Sequence, residues 1–159
     1  MKKFLKLKFE GNKISFFVYE LENKTIEFIK VSKAVVIIPL IDKNKVILVK
    51  QYRFPIRKNL WELPAGKIER NESEYIAAKR ELLEETGYIG KIKKIGSFYV
   101  TPGISNEKFY FFLAYDLKKV RDFNRKEIKE IRIFDVEKLK ESKDLKTHLA
   151  YYLIKNIEI

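Results

Sequence analysis

Two adjacent runs of aliphatic residues constrain the fold of this chain more than any other feature. Residues 33–40 (KAVVIIPL) and 45–52 (KVILVKQY) are rich in β-branched side chains and are separated only by residues 41–44. Runs of this length and composition are typical of buried strands, and such a short connection joins antiparallel neighbours. The sequence therefore predicts a core β-hairpin.

Shorter patterns place further strands before and after this hairpin. Alternating residues predict an N-terminal hairpin with its turn at residues 10–13 (EGNK). Residues 53–70 contain two prolines and are expected to be irregular. We predict an α+β fold, a mixed sheet with helices on its faces, in which a small antiparallel β unit (1–32) precedes the main domain (33–159). The other predicted strands are residues 4–9, 14–19, 25–31, 91–99, 108–116 and 130–135.

Helices are predicted from apolar periodicity and from capping residues. The first would span residues 72–86, with Asn71 as its N-cap, Glu74 three residues later, and Gly87 as the glycine that ends it. A second is expected near residues 136–142. The segment 144–156 has helical spacing and is expected to pack on the sheet. The residues that carry this spacing are Leu145, Leu149, Tyr152 and Leu153.

The composition excludes several kinds of site. The 159 residues fit one domain. The absence of cysteine excludes disulfides, thiolate zinc sites and cysteine nucleophiles, and a single histidine, His148, argues against a histidine-based metal site or a Ser–His–Asp triad. Residues 1–13 alternate apolar and charged side chains, unlike a signal peptide, and no apolar run is long enough to span a bilayer. A cytoplasmic protein is therefore expected.

The formal net charge of +12 attracts polyanions such as nucleic acid, nucleotides or acidic membrane surfaces. The lysines are scattered along the whole chain, however, and form no dense tract. A composition rich in Lys, Glu and Ile is also typical of a thermophile or of an AT-rich genome. We therefore prefer this compositional origin of the charge to a nucleic-acid patch, and expect neither nucleic acid nor a membrane as a partner.

Three glutamates near the end of the first predicted helix indicate chemistry. Glu81, Glu84 and Glu85 are three and four residues apart and share one face. Their repulsion costs about 0.2–0.5 kcal/mol per pair, and the helix dipole disfavours each by about 0.3–1 kcal/mol. A bound divalent cation would reverse both effects, and carboxylate oxygens suit Mg²⁺ or Mn²⁺. The cluster alone is equally compatible with a solvated acidic stripe.

A wider pattern decides between these two readings. Residues 66–88 follow the spacing G-x5-E-x7-R-E-U-x-E-E-x-G-U, where U is apolar. This motif resembles the box of the Nudix hydrolases. The resemblance implies a mixed sheet sandwiched between helices and the hydrolysis of a diphosphate with Mg²⁺ or Mn²⁺. The matching residues are Gly66, Glu72, Arg80, Glu81, Leu82, Glu84, Glu85, Gly87 and Tyr88.

The resemblance also implies roles for individual residues. Arg80 and Glu72 are similar to the pair that orients the helix and its carboxylates, a supporting task around a metal site. The implied metal ligands are Glu81, Glu84, Glu85 and the backbone carbonyl of Ala65.

Segments outside the motif resemble the ADP-ribose pyrophosphatase branch of this family. They are residues 51–53 (QYR), 61–66 (WELPAG) and 101–107, which include Pro102 and Glu107 at the expected edge of the active site. The branch implies hydrolysis of ADP-ribose to AMP and ribose 5-phosphate. Another nucleoside-diphosphate-linked substrate, such as a sugar nucleotide or NADH, is the alternative within the family, and a binding module without catalysis is the alternative outside it.

The same resemblance suggests substrate contacts and a general base. Arg53 would contact the diphosphate or a ribose, because a guanidinium matches phosphate oxygens bidentately, and Glu62 would contact the ribose or assist the metals. The alternatives are a surface arginine and a loop salt bridge. Glu127 is the first candidate for the base and Glu130 the second, with Glu107 a further carboxylate nearby. Ordinary loop charge is the alternative for Glu127 and Glu130.

The N-terminal unit is too small to bury much by itself, and proteins of this branch dimerise with exchange of N-terminal strands. A homodimer with a shared substrate site is therefore expected. Its aromatic residues are candidates to hold the adenine: Phe4, Phe9, Phe16, Phe17, Tyr19 and Phe28.

Overall fold

A computed structural model describes residues 4–11, 14–21 and 23–157 of the chain. Short 3₁₀ helices lie at Phe54–Ile56 and Val136–Glu141. The α-helices are α1 (Glu74–Thr86) and α2 (Leu145–Lys155). The strands are β1 (Phe4–Glu10), β2 (Ile14–Leu21), β3 (Lys24–Val31), β4 (Ala34–Asp42), β5 (Lys45–Arg53), β6 (Lys58–Glu62), β7 (Ala65–Lys67), β8 (Tyr88–Tyr99), β9 (Lys108–Lys119) and β10 (Glu130–Asp135).

The predicted core hairpin is present as β4 and β5, but it opens like a fork. The two strands pair only beside their turn, Leu40 with Val46 and Asp42 with Lys45. Farther on, β4 pairs with β7 and, in parallel, with β9, whereas β5 pairs with β6 and β10. The main sheet has the order β10-β5-β4-β9-β8 and is therefore mixed, as predicted.

Helices cover both faces of this sheet. Alternate residues of a strand point to opposite faces, and on β4 Val35 and Ile37 pack in a cluster with α1, whereas Val36 and Ile38 pack in a second cluster with α2. All four side chains are fully buried, at 0% exposure. The predicted α+β architecture, a mixed sheet between helices, is therefore confirmed.

The N-terminal strands form a separate antiparallel sheet in the order β1-β2-β3. It is joined to the rest of the chain through β3: the Ile29 N–H donates to the carbonyl of Ile104 at 2.8 Å, and the Val31 N–H donates to Asn106 Oδ1 at 2.8 Å. Two residues of the predicted turn at 10–13, residues 12 and 13, lie outside the described part. The division into domains at residue 32 stays a prediction.

Two predictions around α1 are wrong. Residues 53–70 are not irregular throughout, because β6 and β7 pair with the diverging strands of the fork. Asn71 is not the N-cap: it lies in a turn with a left-handed φ of 66°, and the Ser73 hydroxyl accepts the capping hydrogen bond from the Ile76 N–H. Gly87 ends α1 as predicted, with a φ of 77°.

The C-terminal region also differs from its prediction in detail. The expected helix near 136–142 is the 3₁₀ helix. In α2, Leu145 and Tyr152 are 65% and 51% exposed and do not pack on the sheet, although Leu149 and Leu153 do. Neither helix in the described part is long and apolar enough to cross a membrane, and a cytoplasmic location stays a prediction.

Candidate active site

Helix α1 buries two of the three glutamates of its acidic cluster. Its apolar side, which includes Ala77 and Leu82, packs on the sheet, and this contact sets the direction in which the neighbouring residues point. Glu81 and Glu85, four residues apart, are 8% and 5% exposed. Carboxylates are rarely buried to this degree unless a partner compensates their charge.

Arg80 supplies part of that compensation. It donates from Nε and Nη2 to both oxygens of Glu72 at 2.9 and 3.0 Å. Its Nη1 donates to Glu81 at 2.7 Å and to Glu84 at 3.3 Å, and Nη2 also donates to the Lys67 carbonyl at 2.9 Å. The predicted pair of Arg80 and Glu72 is therefore in contact, and the same guanidinium holds two of the three acidic side chains of the cluster.

The start of β7 lies directly against these carboxylates. The Ala65 N–H donates to Glu85 Oε2 at 2.9 Å. A Cβ atom at Gly66 would stand only 1.9 Å from Glu81 Oε1, so no side chain fits there without displacing the carboxylate. This close approach explains why the motif has glycine at this position.

The electrostatics of the cluster favour a cation. Burial raises the pKa of Glu85 to about 8 against the hydrogen bond from Ala65, and the neighbouring Glu81 and Glu127 raise it further. Burial likewise raises the pKa of Glu81, although Arg80 opposes the shift. Buried carboxylates of like charge repel one another, and a positive charge between them would relieve this repulsion.

Glu127 lies on a loop that is attached to the end of α1. The Val120 N–H donates to the Gly87 carbonyl at 2.9 Å, and the Asn124 N–H donates to the Glu84 carbonyl at 2.7 Å. Ile128, which is 1% exposed, anchors the loop in the interior. Tertiary structure thus brings Glu127 close enough to Glu81 and Glu85 to affect the pKa of both.

The second candidate for the base is placed differently. Glu130 is on β10 and bonds to Arg132 at 2.6 Å and to Lys50 at 3.5 Å. The hydrogen bond from Arg132 lowers the pKa of Glu130, which weakens it as a proton acceptor. The geometry therefore favours Glu127 over Glu130.

A cleft of about 530 Å³ opens beside the Ala65–Gly66 segment. Its walls include four of the predicted residues, Arg53, Glu62, Ala65 and Glu107. Arg53 donates from Nε and Nη2 to Glu62 at 2.8 and 2.6 Å. The salt bridge considered for Glu62 is therefore present, but it is buried at the end of β6 and not in a loop.

Lys146, which the sequence analysis did not single out, completes this wall. It bonds to Glu62 and to Asp144, and only 7% of its side chain is exposed. Asp144 also caps α2 by accepting from the Thr147 N–H at 3.0 Å. A signal was present in the sequence, since Lys146 stands four residues before Ala150 on the side of α2 that is buried.

Pro102 is not in this cleft. It lines a different cavity of about 450 Å³, between the loop 100–107 and the N-terminal sheet, together with Phe28 and Tyr99. Phe28 stacks on Phe17 with ring centroids 5.4 Å apart. The predicted contact of Pro102 with the substrate therefore requires that the substrate reach this second cavity.

Comparison with known proteins matches residues 31–155 to the model of the NUDIX domain. The chain belongs to the NUDIX family. It is 34% identical over 163 residues to an ADP-ribose pyrophosphatase of Bacillus subtilis (strain 168), which covers 95% of this chain and 88% of that protein. It is 44% identical over 82 residues to the ADP-sugar pyrophosphatase of Mus musculus, covering 48% of this chain and 38% of that protein.

A solved structure described as an ADP compounds hydrolase has the same fold as this NUDIX chain. The TM-score is 0.76, the identity 19%, and the match covers 98% of this chain and 93% of the other. The match to the NUDIX domain and the similarity over 95% of this chain to the ADP-ribose pyrophosphatase confirm the family resemblance of the motif and the class of enzyme, a Nudix pyrophosphohydrolase.

Nudix hydrolases generally depend on divalent metal ions, and the residues of this site fit such an ion. The described residues do not form a preassembled cage of three acidic, histidine or cysteine side chains. Mg²⁺, however, is commonly bound by one or two carboxylates, with water and substrate phosphate supplying the other oxygens. Glu81 and Glu85 are buried and repel each other, and they contact the backbone of β7 at Gly66 and Ala65. This donor set suits a hard cation.

Proposed function

We propose that this chain hydrolyses the diphosphate of ADP-ribose to AMP and ribose 5-phosphate, with Mg²⁺ or, alternatively, Mn²⁺. The observation that carries the proposal is the junction at Ala65–Gly66. Glu85 and Glu81 of α1 contact Ala65 and Gly66, and the same two residues line the cleft that contains Arg53. Arg53 also lies close enough to Glu85 to lower the pKa of that carboxyl against its burial. A diphosphate bound by the arginine would thus reach the acidic cluster.

The proposed reaction is the attack of water on one phosphorus and the cleavage of its bond to the bridging oxygen. Glu127 accepts the proton of the water, and the leaving phosphate departs with the bond electrons. Arg53 binds a phosphate, while Arg80 holds Glu81 and Glu84 in place. Glu81, Glu84, Glu85 and the Ala65 carbonyl would hold the cation, which when bound neutralises phosphate charge and activates water.

Similarity over nearly the whole chain to an ADP-ribose pyrophosphatase supports the choice of substrate. The partial match to an ADP-sugar pyrophosphatase makes a sugar nucleotide the second candidate. In both cases the adenosine half would extend toward the loop 100–107, where Pro102, Phe28 and Tyr99 offer an apolar surface for a base.

We also propose that the protein is a homodimer. The N-terminal sheet leaves Leu7, Phe9 and Ile14 49%, 58% and 45% exposed, and a three-stranded sheet gains stability when such a surface is covered. A second copy would cover it, with exchange of N-terminal strands. Sedimentation equilibrium that finds only monomers at micromolar concentration would contradict this proposal.

A product assay tests the activity. The protein is incubated with Mg²⁺ and ADP-ribose, ADP-glucose, GDP-mannose, NADH or 8-oxo-dGTP, and the products are separated by chromatography. We expect AMP from ADP-ribose with wild type and with Glu141→Gln, a control for an exposed glutamate, and none with Glu85→Gln.

Other outcomes of the assay have distinct meanings. If ADP-glucose were the only compound hydrolysed, the substrate would be a sugar nucleotide and not ADP-ribose. Binding of ADP-ribose without turnover of any compound would show that the chain is a binding module.

A further inference from the structure

A lysine on the first turn of α2 is buried beside the cleft. Only 7% of the Lys146 side chain is exposed, and its Nζ bonds to Glu62 Oε2 and, at 2.9 Å, to Asp144 Oδ1. An ammonium group loses its hydration on burial and is stable there only with charged partners. The two carboxylates provide this compensation, so the position of the lysine is defined by the fold.

Glu62 connects this lysine to Arg53. The carboxylate is 1% exposed and accepts from Arg53 Nε and Nη2 at its two oxygens. Both contacts use the same edge of the guanidinium, which leaves Nη1 on the side away from Glu62. The Arg53 side chain is 39% exposed and lines the cleft. Glu62 therefore holds one edge of the Arg53 guanidinium, the edge formed by Nε and Nη2, and the same side chain lines the cleft.

Lys146 and Arg53 bond to the same oxygen of the Glu62 carboxylate. Glu62 Oε2 accepts from both Arg53 Nη2 and Lys146 Nζ, so the plane of the carboxylate is fixed by two cations on different elements. Without Lys146, the carboxylate could rotate with the arginine, and all its charge would act on one guanidinium. Ordering a long side chain before the ligand arrives removes an entropic cost from binding.

We propose that Lys146 is a positioning residue for substrate binding: through Glu62 it fixes the Arg53 guanidinium in the orientation that binds a phosphate of the substrate. The choice of phosphate as the ligand rests on the proposed function. Helix α2 then contributes to affinity, whereas α1 carries the carboxylates of the reaction.

Steady-state hydrolysis of ADP-ribose tests this role. Lys146→Met is expected to raise KM about tenfold, because a hydrogen bond between charged groups is lost, while kcat changes less than about threefold. Lys146→Arg should restore KM, since a guanidinium can bond to both carboxylates. Lys138→Met, which removes a lysine from an exposed pair with Glu141, should leave both constants unchanged. An unchanged KM in Lys146→Met, or a loss confined to kcat, would overturn the proposal.

A second variant and a second readout guard against misfolding. Lys146→Gln keeps a neutral donor for Glu62, and its KM is expected between those of wild type and Lys146→Met. The NMR resonance of the Arg53 Nε–H is assigned by its loss in Arg53→Lys. This proton should exchange slowly with solvent in wild type and faster in Lys146→Met and Lys146→Gln. A purely structural lysine would lower the melting temperature without moving KM or this resonance.

The NMR readout needs no substrate and separates the two proposals. If wild type does not hydrolyse ADP-ribose but the Arg53 resonance responds to Lys146→Gln, the proposed substrate is wrong and the positioning of Arg53 stands. If wild type is active and neither KM nor the resonance responds, the positioning role is wrong and the activity stands.

Discussion

The two α-helices bury charge in opposite ways. On α1, Glu81 and Glu85 are both buried, and this burial, together with the negative charge of neighbouring carboxylates, raises the pKa of each. On α2, Lys146 is buried between Glu62 and Asp144, with opposite signs in contact. The chain compensates the first arrangement only in part, through Arg80, and a bound cation would complete it, whereas the second is balanced within the chain. Buried charge that the chain does not neutralise therefore marks the site of chemistry, and neutralised charge marks its support.

The largest expected effect is on kcat and follows from a change in the carboxylates of α1, whose charge the chain does not fully compensate. Glu85→Gln should lower kcat for ADP-ribose about a thousandfold, because Glu85 is proposed to hold the cation, and a metal ligand contributes several kcal/mol to the transition state. The melting temperature without added metal should stay equal or rise, since glutamine still accepts from the Ala65 N–H but carries no buried charge. A clear loss of thermal stability would contradict the view that this carboxylate is retained for function.

A change in the charge pairs around Lys146 should instead lower the free energy of unfolding. Glu62→Ala leaves the buried Lys146 without one of its two carboxylates, and breaking a buried pair of this kind costs about 3 kcal/mol. Urea denaturation measures the free energy of unfolding. Glu141→Ala, which removes an exposed partner of Lys138, is the control and should cost less than about 1 kcal/mol. Equal losses in the two variants would show that burial does not strengthen the dependence on charge pairing.

Gly66→Ala probes the contact between the cleft and α1. The new Cβ would meet the Glu81 carboxylate at 1.9 Å, so this side chain must move. We expect kcat to fall about a hundredfold, as displacements of about 1 Å do in active sites, while the chain still folds, because alanine is compatible with a strand. Wild-type kcat in this variant would mean that the position of Glu81 is not critical.

The smallest effect is expected for a cluster that is exposed. Glu137 bonds to Lys155, Lys140 and Tyr151, and these hydrogen bonds lower its pKa to about 2. A lowered pKa stabilises the folded state above the ordinary value of 4.5, and this contribution is lost as the pH falls toward about 2. Glu137→Gln should therefore lower the melting temperature slightly at neutral pH, where the contribution is fully present, and flatten the decrease of melting temperature between these two pH values. A steep decrease in the variant equal to that of wild type would contradict this assignment.

The sequence by itself determined the features that depend on neighbours along the chain. The spacing of Glu81, Glu84 and Glu85 places them on one face, because the helix repeat is a local property. The core hairpin and the end of α1 at Gly87 follow from local composition and from backbone freedom at glycine. For the same reason the motif was sufficient to indicate the family.

Local signals were weaker where two neighbouring residues competed for one role. Asn71 and Ser73 are both good N-cap residues. Ser73 takes the role because Glu72 bonds to Glu69 and to Arg80 and so belongs to the turn before the helix. The exposure of Leu145 and Tyr152 has an origin outside their own segment, since the direction of α2 is set by the elements beneath it and not by its own periodicity.

Only the tertiary structure decided which distant residues meet. Glu62 and Lys146 are 84 positions apart, and their contact exists because β6 and the start of α2 reach the same wall of the cleft. The approach of Glu127 to α1 likewise depends on the hydrogen bonds of its loop to Gly87 and Glu84. Contacts of this kind depend on how the β4–β5 fork opens, which is a property of the whole sheet and leaves no periodic signal in any one segment.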